Sequence, residues 1–136
     1  MKTLFVDTSA FYALFNRDDP NHRAAAEFYR TESCLLVTTH AVFTELMSLI
    51  TKRQGKRTAI QCGTAIKAAE ERIRVADTSD AQNARAWQLF CKYKDKQWDL
   101  IDCTSFVFME DTCLKEAFAF DRHFAQSGFR SVPIVP

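Results

Sequence analysis

Short apolar runs alternate with longer segments of helical periodicity along this chain. Residues 3–6 form an apolar run suited to a buried strand, and the next residues, DTS, supply N-cap side chains to a helix that carries Phe11, Leu14 and Phe15 on one face. The same alternation continues along the chain. It predicts further strands over 35–37, 73–76, 116–120 and 132–135, and further helices over 21–32, 40–53, 56–72, 80–93 and 100–109.

This order of elements predicts an α/β fold. Strands that alternate with helices favour a parallel sheet covered by helices, and only three glycines and three prolines interrupt the segments. A length of 136 residues is typical of one domain, so we predict a single domain over residues 1–136.

Charge and cysteine content limit the classes of function and the cellular compartment that we expect for this protein. Lys plus Arg number 18 against 17 for Asp plus Glu, so the chain lacks the basic excess typical of nucleic-acid-binding domains, and any site for a polyanion must be local. The five cysteines are odd in number and lie within predicted strands or helices, which favours reduced core thiols over disulfides or a zinc site. No apolar run has the length of a signal peptide or a membrane span, so we expect a cytoplasmic protein without a membrane segment.

Four acidic residues occupy positions where an acid is costly for a fold. Asp7 and Asp121 each end an apolar run, Glu45 interrupts the apolar face of a predicted helix, and Asp102 follows an apolar pair. No lysine or arginine occupies a matching apolar position, and a buried ion without a partner carries a large desolvation penalty. The pattern therefore predicts a site that binds Mg²⁺ or Mn²⁺ and an enzyme that acts on phosphates.

The predicted topology brings these acids to one edge of the sheet. Asp7 and Asp121 directly follow strands, and Glu45 and Asp102 lie in early or middle turns of helices that start from the same edge. Ligand sites in open parallel sheets collect beyond the carboxyl ends of the strands. We therefore expect the four carboxylates to converge there, and four carboxylates suffice for one tightly bound ion and a second, weaker one.

Each acid also has a purely structural interpretation. Asp7 has the position of a helix cap, and Asp121 has that of a turn residue with a local salt bridge. Asp102 stands three residues after Asp99, which is the spacing of a capping box, and Asp99 itself is the expected cap. Glu45 has two cations within reach along its helix and the following turn, Arg53 and Lys56.

Four segments taken together resemble a known family. They read FVDTSA over 5–10, TE over 44–45, LIDCTSF over 100–106 and FDRHF over 120–124, and in this order they resemble the PIN-domain nucleases, most closely the VapC-like toxins of toxin–antitoxin systems. The resemblance covers essentially the whole chain. It implies a PIN-like three-layer sandwich with a central, mostly parallel sheet of four to five short strands flanked by helices.

The resemblance also implies an activity and the residues that carry it. The activity is that of a Mg²⁺- or Mn²⁺-dependent endoribonuclease that leaves 5′-phosphate and 3′-hydroxyl ends. A second acid two or three residues beyond Asp121, present in some members of the family, is absent here, where His123 and Phe124 stand. By position, the implied catalytic and metal-binding residues are Asp7, Glu45, Asp102 and Asp121, and the implied auxiliary residues are Thr8, Ser9, Asp99, Thr104 and Ser105.

The expected partners follow from the same resemblance and from one basic cluster. The family implies an RNA substrate (tRNA, rRNA or mRNA), a cognate antitoxin whose tail covers an apolar groove, and a homodimer. A cluster of cations between two predicted helices is a candidate contact for RNA phosphates, although cations also complement a helix C-terminus. The cluster consists of Lys52, Arg53, Lys56 and Arg57.

Three other functions compete with the toxin. A phosphatase of the haloacid-dehalogenase type would use Asp7 as its nucleophile, but that family has a second aspartate two residues on, where this chain has Ser9. A binding module without turnover is disfavoured because all four acids are present. A standalone PIN-domain nuclease in RNA processing has the same residues, and only a neighbouring antitoxin gene separates it from a toxin.

Overall fold

A parallel sheet forms the centre of the structure. The structure is a computed structural model that describes residues 1–135, and Pro136, the last residue of the predicted domain, lies outside the described residues. In chain order the elements are β1 (Lys2–Val6), α1 (Thr8–Phe15), α2 (His22–Thr31), β2 (Cys34–Thr39), α3 (His40–Gln54), α4 (Lys56–Ala68), β3 (Ile73–Ala76), α5 (Asp80–Lys92), α6 (Leu100–Asp111), β4 (Glu116–Phe118), α7 (His123–Gln126) and β5 (Arg130–Val132).

The sheet has the strand order β3-β2-β1-β4-β5, and every neighbouring pair is parallel. The predicted α/β class with helices flanking a parallel sheet is therefore confirmed. The chain builds outward from β1 to β3 on one side and then returns to place β4 and β5 on the other side. Such a reversal creates a crevice between the carboxyl ends of β1 and β4, the usual position of ligand sites in open α/β sheets.

Several predicted boundaries were wrong because tertiary contacts end the elements early. The helix predicted over 56–72 ends at Ala68, and beyond it the Arg72 guanidinium donates to the carbonyls of Tyr29 and Glu32. The strand predicted over 116–120 ends at Phe118, where its partner β1 also ends. The strand predicted over 132–135 is instead Arg130–Val132, and Pro133, which has no N–H to donate, follows it. The short helix α7 was not predicted.

Aromatic packing ties the helices that carry acids to the sheet. Phe5 on the central strand is fully buried, and its ring lies 6.0 Å from the ring of Phe108 on α6 and 5.9 Å from that of Phe124 on α7. Phe106 of α6 makes an edge contact with Phe124 at 5.1 Å. These rings hold the start of α7 beside α6, next to the end of β1.

The cysteines divide into two groups. All five are free; Cys34, Cys62 and Cys103 are buried as expected for core thiols, whereas Cys91 and Cys113 are exposed, contrary to the prediction for them. Cys91 lies near the end of α5 and Cys113 in the turn after α6, and both positions face solvent. Among the described helices, none combines the length and the apolar character that a bilayer span requires.

We expect Phe5→Ala to lower the free energy of unfolding by about 3–5 kcal/mol, because it leaves a cavity where three elements meet. Ile60→Ala is the matched control: Ile60 is 57% exposed on α4, so its truncation should change stability by no more than about 0.5 kcal/mol. Urea denaturation followed by circular dichroism measures both values. Equal effects of the two substitutions would contradict the packing described here.

Candidate active site

Asp7 is the central acid of the site. It directly follows β1 and is only 4% exposed. Its Oδ2 accepts hydrogen bonds from the backbone N–H of Ser9 at 3.3 Å and from the Ser9 hydroxyl at 2.9 Å, so Asp7 also caps α1. Ser9 Oγ in turn accepts the N–H of Phe120 at 3.0 Å, which ties the end of β1 to the segment that leads into Asp121. The capping and site positions of Asp7 are therefore compatible.

Glu45 reaches the same region from α3. Its carboxylate is partly buried, and Oε1 accepts a hydrogen bond from the Thr8 hydroxyl across 37 residues of sequence. The alternative ion pairs with Arg53 or Lys56 do not occur among the described residues. Thr8 therefore orients Glu45 towards the edge of the sheet on which Asp7 lies.

Asp102 and Asp99 form the predicted capping box. The N–H of Asp102 donates to Asp99 Oδ1 at 2.8 Å, and the N–H of Asp99 donates to Asp102 Oδ2 at 3.0 Å. Asp99 is therefore the N-cap of α6, as predicted. Asp102 lies buried in the first turn of α6. Its carboxylate contacts the ring of His123.

Asp121 and His123 approach from the segment after β4. Asp121 Oδ1 accepts the N–H of His123 at 3.0 Å, a local turn that opens α7. The His123 ring then points back to the acids: Nδ1 lies 2.9 Å from Asp102 Oδ2 and 4.0 Å from Asp121 Oδ2. One ligand atom each from Asp102, Asp121 and His123 lie within 4.8 Å of one another.

Sequence reasoning gave His123 no role beyond its position near Asp121, because the three histidines show no metal-ligand spacing. The contact with Asp102 crosses 21 residues and depends on α7, an element that the pattern did not predict. The signal that pointed to His123 was the missing acid two residues after Asp121, which left a gap in the pattern of the family.

Burial and mutual repulsion raise the pKa values of three of the acids. Burial raises the pKa of Asp7 well above its ordinary value, and the charges of Asp121 and Asp102 raise it further. Burial also raises the pKa of Asp102 to about 6, with a contribution from the charge of Asp99. For Glu45 burial raises the pKa, the hydrogen bond from Thr8 opposes the shift, and the charges of Asp99 and Asp121 add to it.

These shifts also describe the geometry of the site. Asp7 and Glu45 lie outside the tight group of Asp102, Asp121 and His123, yet their carboxylates are close enough to feel the charges of that group. The four acids therefore share one electrostatic environment at the reversal point of the sheet. Their electrostatic coupling is expected where carboxylates converge without enough positive charge between them.

The donor set fits a divalent cation. Among residues 1–135, no lysine or arginine forms a salt bridge with any of the four acids, and His123 is their one potentially charged partner. One oxygen of each carboxylate makes the hydrogen bonds described above, and within the described chain the other oxygen accepts none. A cation bound by these four carboxylates would relieve the repulsion that raises the pKa values.

The remaining candidates separate into near and distant groups. Thr8 and Ser9 support Glu45 and Asp7 directly, and Asp99 holds Asp102. Thr104 and Ser105, in contrast, donate to the carbonyls of Leu100 and Ile101 one turn earlier in α6, so both hydroxyls serve their own helix. The cations at the turn between α3 and α4 are all exposed; they are Lys52, Arg53, Lys56 and Arg57.

The chain is similar to known proteins over nearly its whole length. A family model described as "PIN domain" matches residues 4–129. The curated 23S rRNA-specific endonuclease VapC20 of Mycobacterium tuberculosis is 30% identical over 129 residues, which cover 95% of this chain and 97% of that protein.

Solved structures repeat the similarity. The crystal structure of Mycobacterium tuberculosis VapC20, described as a sarcin-ricin loop cleaving toxin, superposes with a TM-score of 0.85 at 28% identity, and covers 93% of this chain and 95% of that one. Two complexes share the fold at lower identity over 95% of this chain and 96% of theirs: VapBC2 from Rickettsia felis bound to a promoter DNA fragment (TM-score 0.67, 11% identity) and VapBC-1 from nontypeable Haemophilus influenzae (0.65, 15%). With its acids gathered at the reversal point of a parallel sheet, this chain belongs to the PIN-domain family, as a VapC-like member.

Proposed function

We propose that this protein is an endoribonuclease that uses Mg²⁺ or Mn²⁺ and acts as the toxin of a VapC-like toxin–antitoxin pair, within a single domain over residues 1–136. The observation that carries the proposal is the convergence of four carboxylates at the reversal point of the sheet without a lysine or arginine partner. The relative VapC20 is named for cleavage of 23S rRNA, which makes large-subunit rRNA our proposed substrate.

The roles of the residues follow from their contacts. A bound divalent cation would neutralise charge on the scissile phosphate and activate water for attack on phosphorus. Asp102 and Asp121 are the proposed first contacts of that cation, because a carboxylate oxygen of one already lies within 4.8 Å of a carboxylate oxygen of the other. Asp7 and Glu45 supply further oxygens, and the Ser9 and Thr8 hydroxyls hold these two carboxylates in fixed orientations.

The turn between α3 and α4 is the proposed contact for the RNA backbone. Lys52, Arg53, Lys56 and Arg57 are exposed there, and the Arg53 guanidinium stacks 5.2 Å from the centre of the Tyr12 ring. Tyr12 follows Thr8 by four residues on α1, and Arg53 and Glu45 both belong to α3. The same two helices therefore carry the Arg53–Tyr12 contact and the Thr8–Glu45 contact. Phosphates held by the turn would bring the neighbouring nucleotides towards the acids.

An apolar groove that does not include the acids suits an antitoxin peptide. It has a volume of about 280 Å³, lies between α1, α2 and α4, and is lined mainly by apolar side chains, including Phe11, Phe15, Tyr29 and Ile66. The two VapBC complexes of the same fold support the proposal that a cognate antitoxin occupies it.

We also propose that the protein is a cytoplasmic homodimer. Trp87 and Phe90 on α5 are 54% and 39% exposed, and their rings lie 5.7 Å apart. They form an apolar surface that is available to a second copy.

We expect the purified protein to cut ribosomal RNA into discrete fragments when Mg²⁺ or Mn²⁺ is present, and EDTA to abolish the cleavage. Asp7→Asn and Asp102→Asn should reduce the rate by at least the roughly 10- to 100-fold that loss of even an outer-sphere partner of a metal typically costs. Primer extension on the fragments locates the cut site.

The matched control for this assay is Glu110→Gln, which removes an acid from the same helix as Asp102 at a position whose side chain is 75% exposed. Its rate should equal that of the parent protein. Cleavage that continues in EDTA, or that is unchanged in both aspartate variants, would contradict the proposed function.

We expect induced expression in a bacterium to arrest growth, and Asp7→Asn to remove the arrest because the RNA is no longer cut. Co-expression of a small protein encoded beside this gene should restore growth if that protein is the antitoxin. Growth curves and ribosomal RNA profiles measure both effects. Normal growth with an enzyme that is active in vitro would favour the standalone RNA-processing nuclease instead.

We expect the thermal stability of the metal-free protein to fall as the pH rises from about 4 towards 7. The pKa of Asp102 is about 6 in the folded protein against 3.8 in its ordinary state, so the folded chain binds more protons in this window, and stability is lost as Asp102 ionises. Asp7 acts in the same direction. Added Mn²⁺ or Mg²⁺ should raise the melting temperature, and more so at higher pH, because the ions bind ionised carboxylates.

Differential scanning fluorimetry at several pH values, with EDTA or metal, measures these effects. Asp102→Asn should flatten the pH dependence of the metal-free protein and shrink the stabilisation by metal, whereas Glu110→Gln should leave both unchanged. A pH profile identical in all three proteins would contradict the raised pKa of Asp102.

A further inference from the structure

His123 occupies the place of an expected acid and turns its ring towards the metal site. It stands two residues after Asp121, and its Nδ1 lies 2.9 Å from Asp102 Oδ2 and 4.0 Å from Asp121 Oδ2. The two carboxylates belong to different elements, α6 and the segment after β4, so the imidazole lies between them. Its side chain is 25% exposed, which places the ring at the wall of the crevice.

The backbone around His123 holds this arrangement in place. Asp121 Oδ1 accepts the N–H of His123 at 3.0 Å, and the next residue, Phe124, is fully buried between Phe5 and Phe106. The hydrogen bond of the His123 N–H and the buried ring of Phe124 together leave the His123 backbone little freedom. The approach of the imidazole to the acids is therefore built into the fold.

The spacing of the donor atoms matches a coordination sphere. For ligand bonds of about 2.1 Å in octahedral geometry, adjacent donors lie about 3.0 Å apart and opposite donors about 4.2 Å apart. The separations of Nδ1 from Asp102 Oδ2 and Asp121 Oδ2, 2.9 and 4.0 Å, fall at these two values. Since all three ligand atoms lie within 4.8 Å of one another, one cation among them would contact all three side chains once these move together around it.

A purely positioning role for His123 explains the geometry less well. Asp102 Oδ2 already accepts the N–H of Asp99 at 3.0 Å, so the capping box orients this carboxylate without the imidazole. The four acids also lack any lysine or arginine salt bridge in the described chain, and a donor nitrogen aimed into such a group is placed as a ligand would be.

We propose that His123 Nδ1, whose proton passes to Nε2 or to solvent when the ion binds, is a direct ligand of the catalytic cation, together with Asp102 and Asp121, and that this nitrogen ligand makes the site prefer Mn²⁺ over Mg²⁺. The inference rests on the proposed function, because it refines the metal site of that nuclease. Mg²⁺ is a hard ion that takes oxygen ligands almost exclusively, whereas imidazole suits divalent transition ions.

The direct test is pulsed electron paramagnetic resonance of the protein loaded with Mn²⁺. The spectrum should contain a ¹⁴N modulation from a coordinated imidazole, and ¹⁵N-histidine labelling should shift it. His123→Asp should still bind Mn²⁺ through oxygen but lose the modulation. His40→Gln is the matched control, since His40 is an exposed histidine at the start of α3, and it should leave the spectrum unchanged.

Competition between the ions measures the selectivity independently of turnover. Isothermal titration should show that His123→Asp lowers the ratio of Mn²⁺ to Mg²⁺ affinity by roughly 10-fold or more, the scale on which changes around a bound metal act. His123→Asn separates ligation from positioning, because an amide N–H can donate to Asp102 as the ring does but offers no nitrogen to the ion. Under the proposal, His123→Asn loses both the ¹⁴N signal and the selectivity.

The possible outcomes test the role of His123 separately from the proposed nuclease function. Bound Mn²⁺ without a ¹⁴N modulation, or a selectivity retained in His123→Asn, would overturn the role of His123 and leave the nuclease intact. A parent protein that binds neither ion would overturn both. A circular dichroism spectrum for each variant equal to that of the parent establishes that the differences arise at the site.

Discussion

The rest of the site depends on carboxylates that converge with little positive charge to compensate them. Asp7 is buried at the end of the central strand, and the charges of Asp121 and Asp102 raise its pKa beyond the effect of burial. A fold under selection for stability alone would place apolar or paired residues there, since an uncompensated buried charge is strongly destabilising. A divalent cation bound among these carboxylates would relieve the repulsion, so the stability of the protein and its proposed chemistry depend on the same charges.

Local hydrogen bonds show that a capping or turn role and a place in the candidate metal site are compatible for three of the acids. Asp7 caps α1, Asp102 completes a capping box and Asp121 closes a turn, and each still has an oxygen that accepts no hydrogen bond from the described residues. The backbone N–H groups that satisfy one side of each carboxylate also fix its orientation. A helix cap can therefore also orient a candidate metal ligand, because the bond that stabilises the helix removes the rotational freedom of the carboxylate.

The departures from the expected pattern have physical causes as well. Thr104 and Ser105 carry hydroxyls of the expected type, but each donates to a carbonyl one turn back in α6. His123, which the spacing of the histidines did not mark, is brought to Asp102 by α7 and by the burial of Phe124. Residue type alone did not determine the contacts of these side chains, because the contacts depend on where each side chain's hydrogen-bonding partners lie. The auxiliary role of Thr104 and Ser105 stays a prediction.

Apart from the short helix α7, the sequence by itself determined the order of strands and helices, the α/β class, the caps at Asp7 and Asp99, and the four candidate acids, because periodicity, capping and the cost of a buried charge act over a few residues. Tertiary structure decided the strand order, the early end of α4 at Ala68, and the contacts between Thr8 and Glu45 and between His123 and Asp102. Those contacts span 37 and 21 residues, so no local pattern encodes them. They arise only when the sheet reverses direction at β1 and brings distant helix ends to one edge.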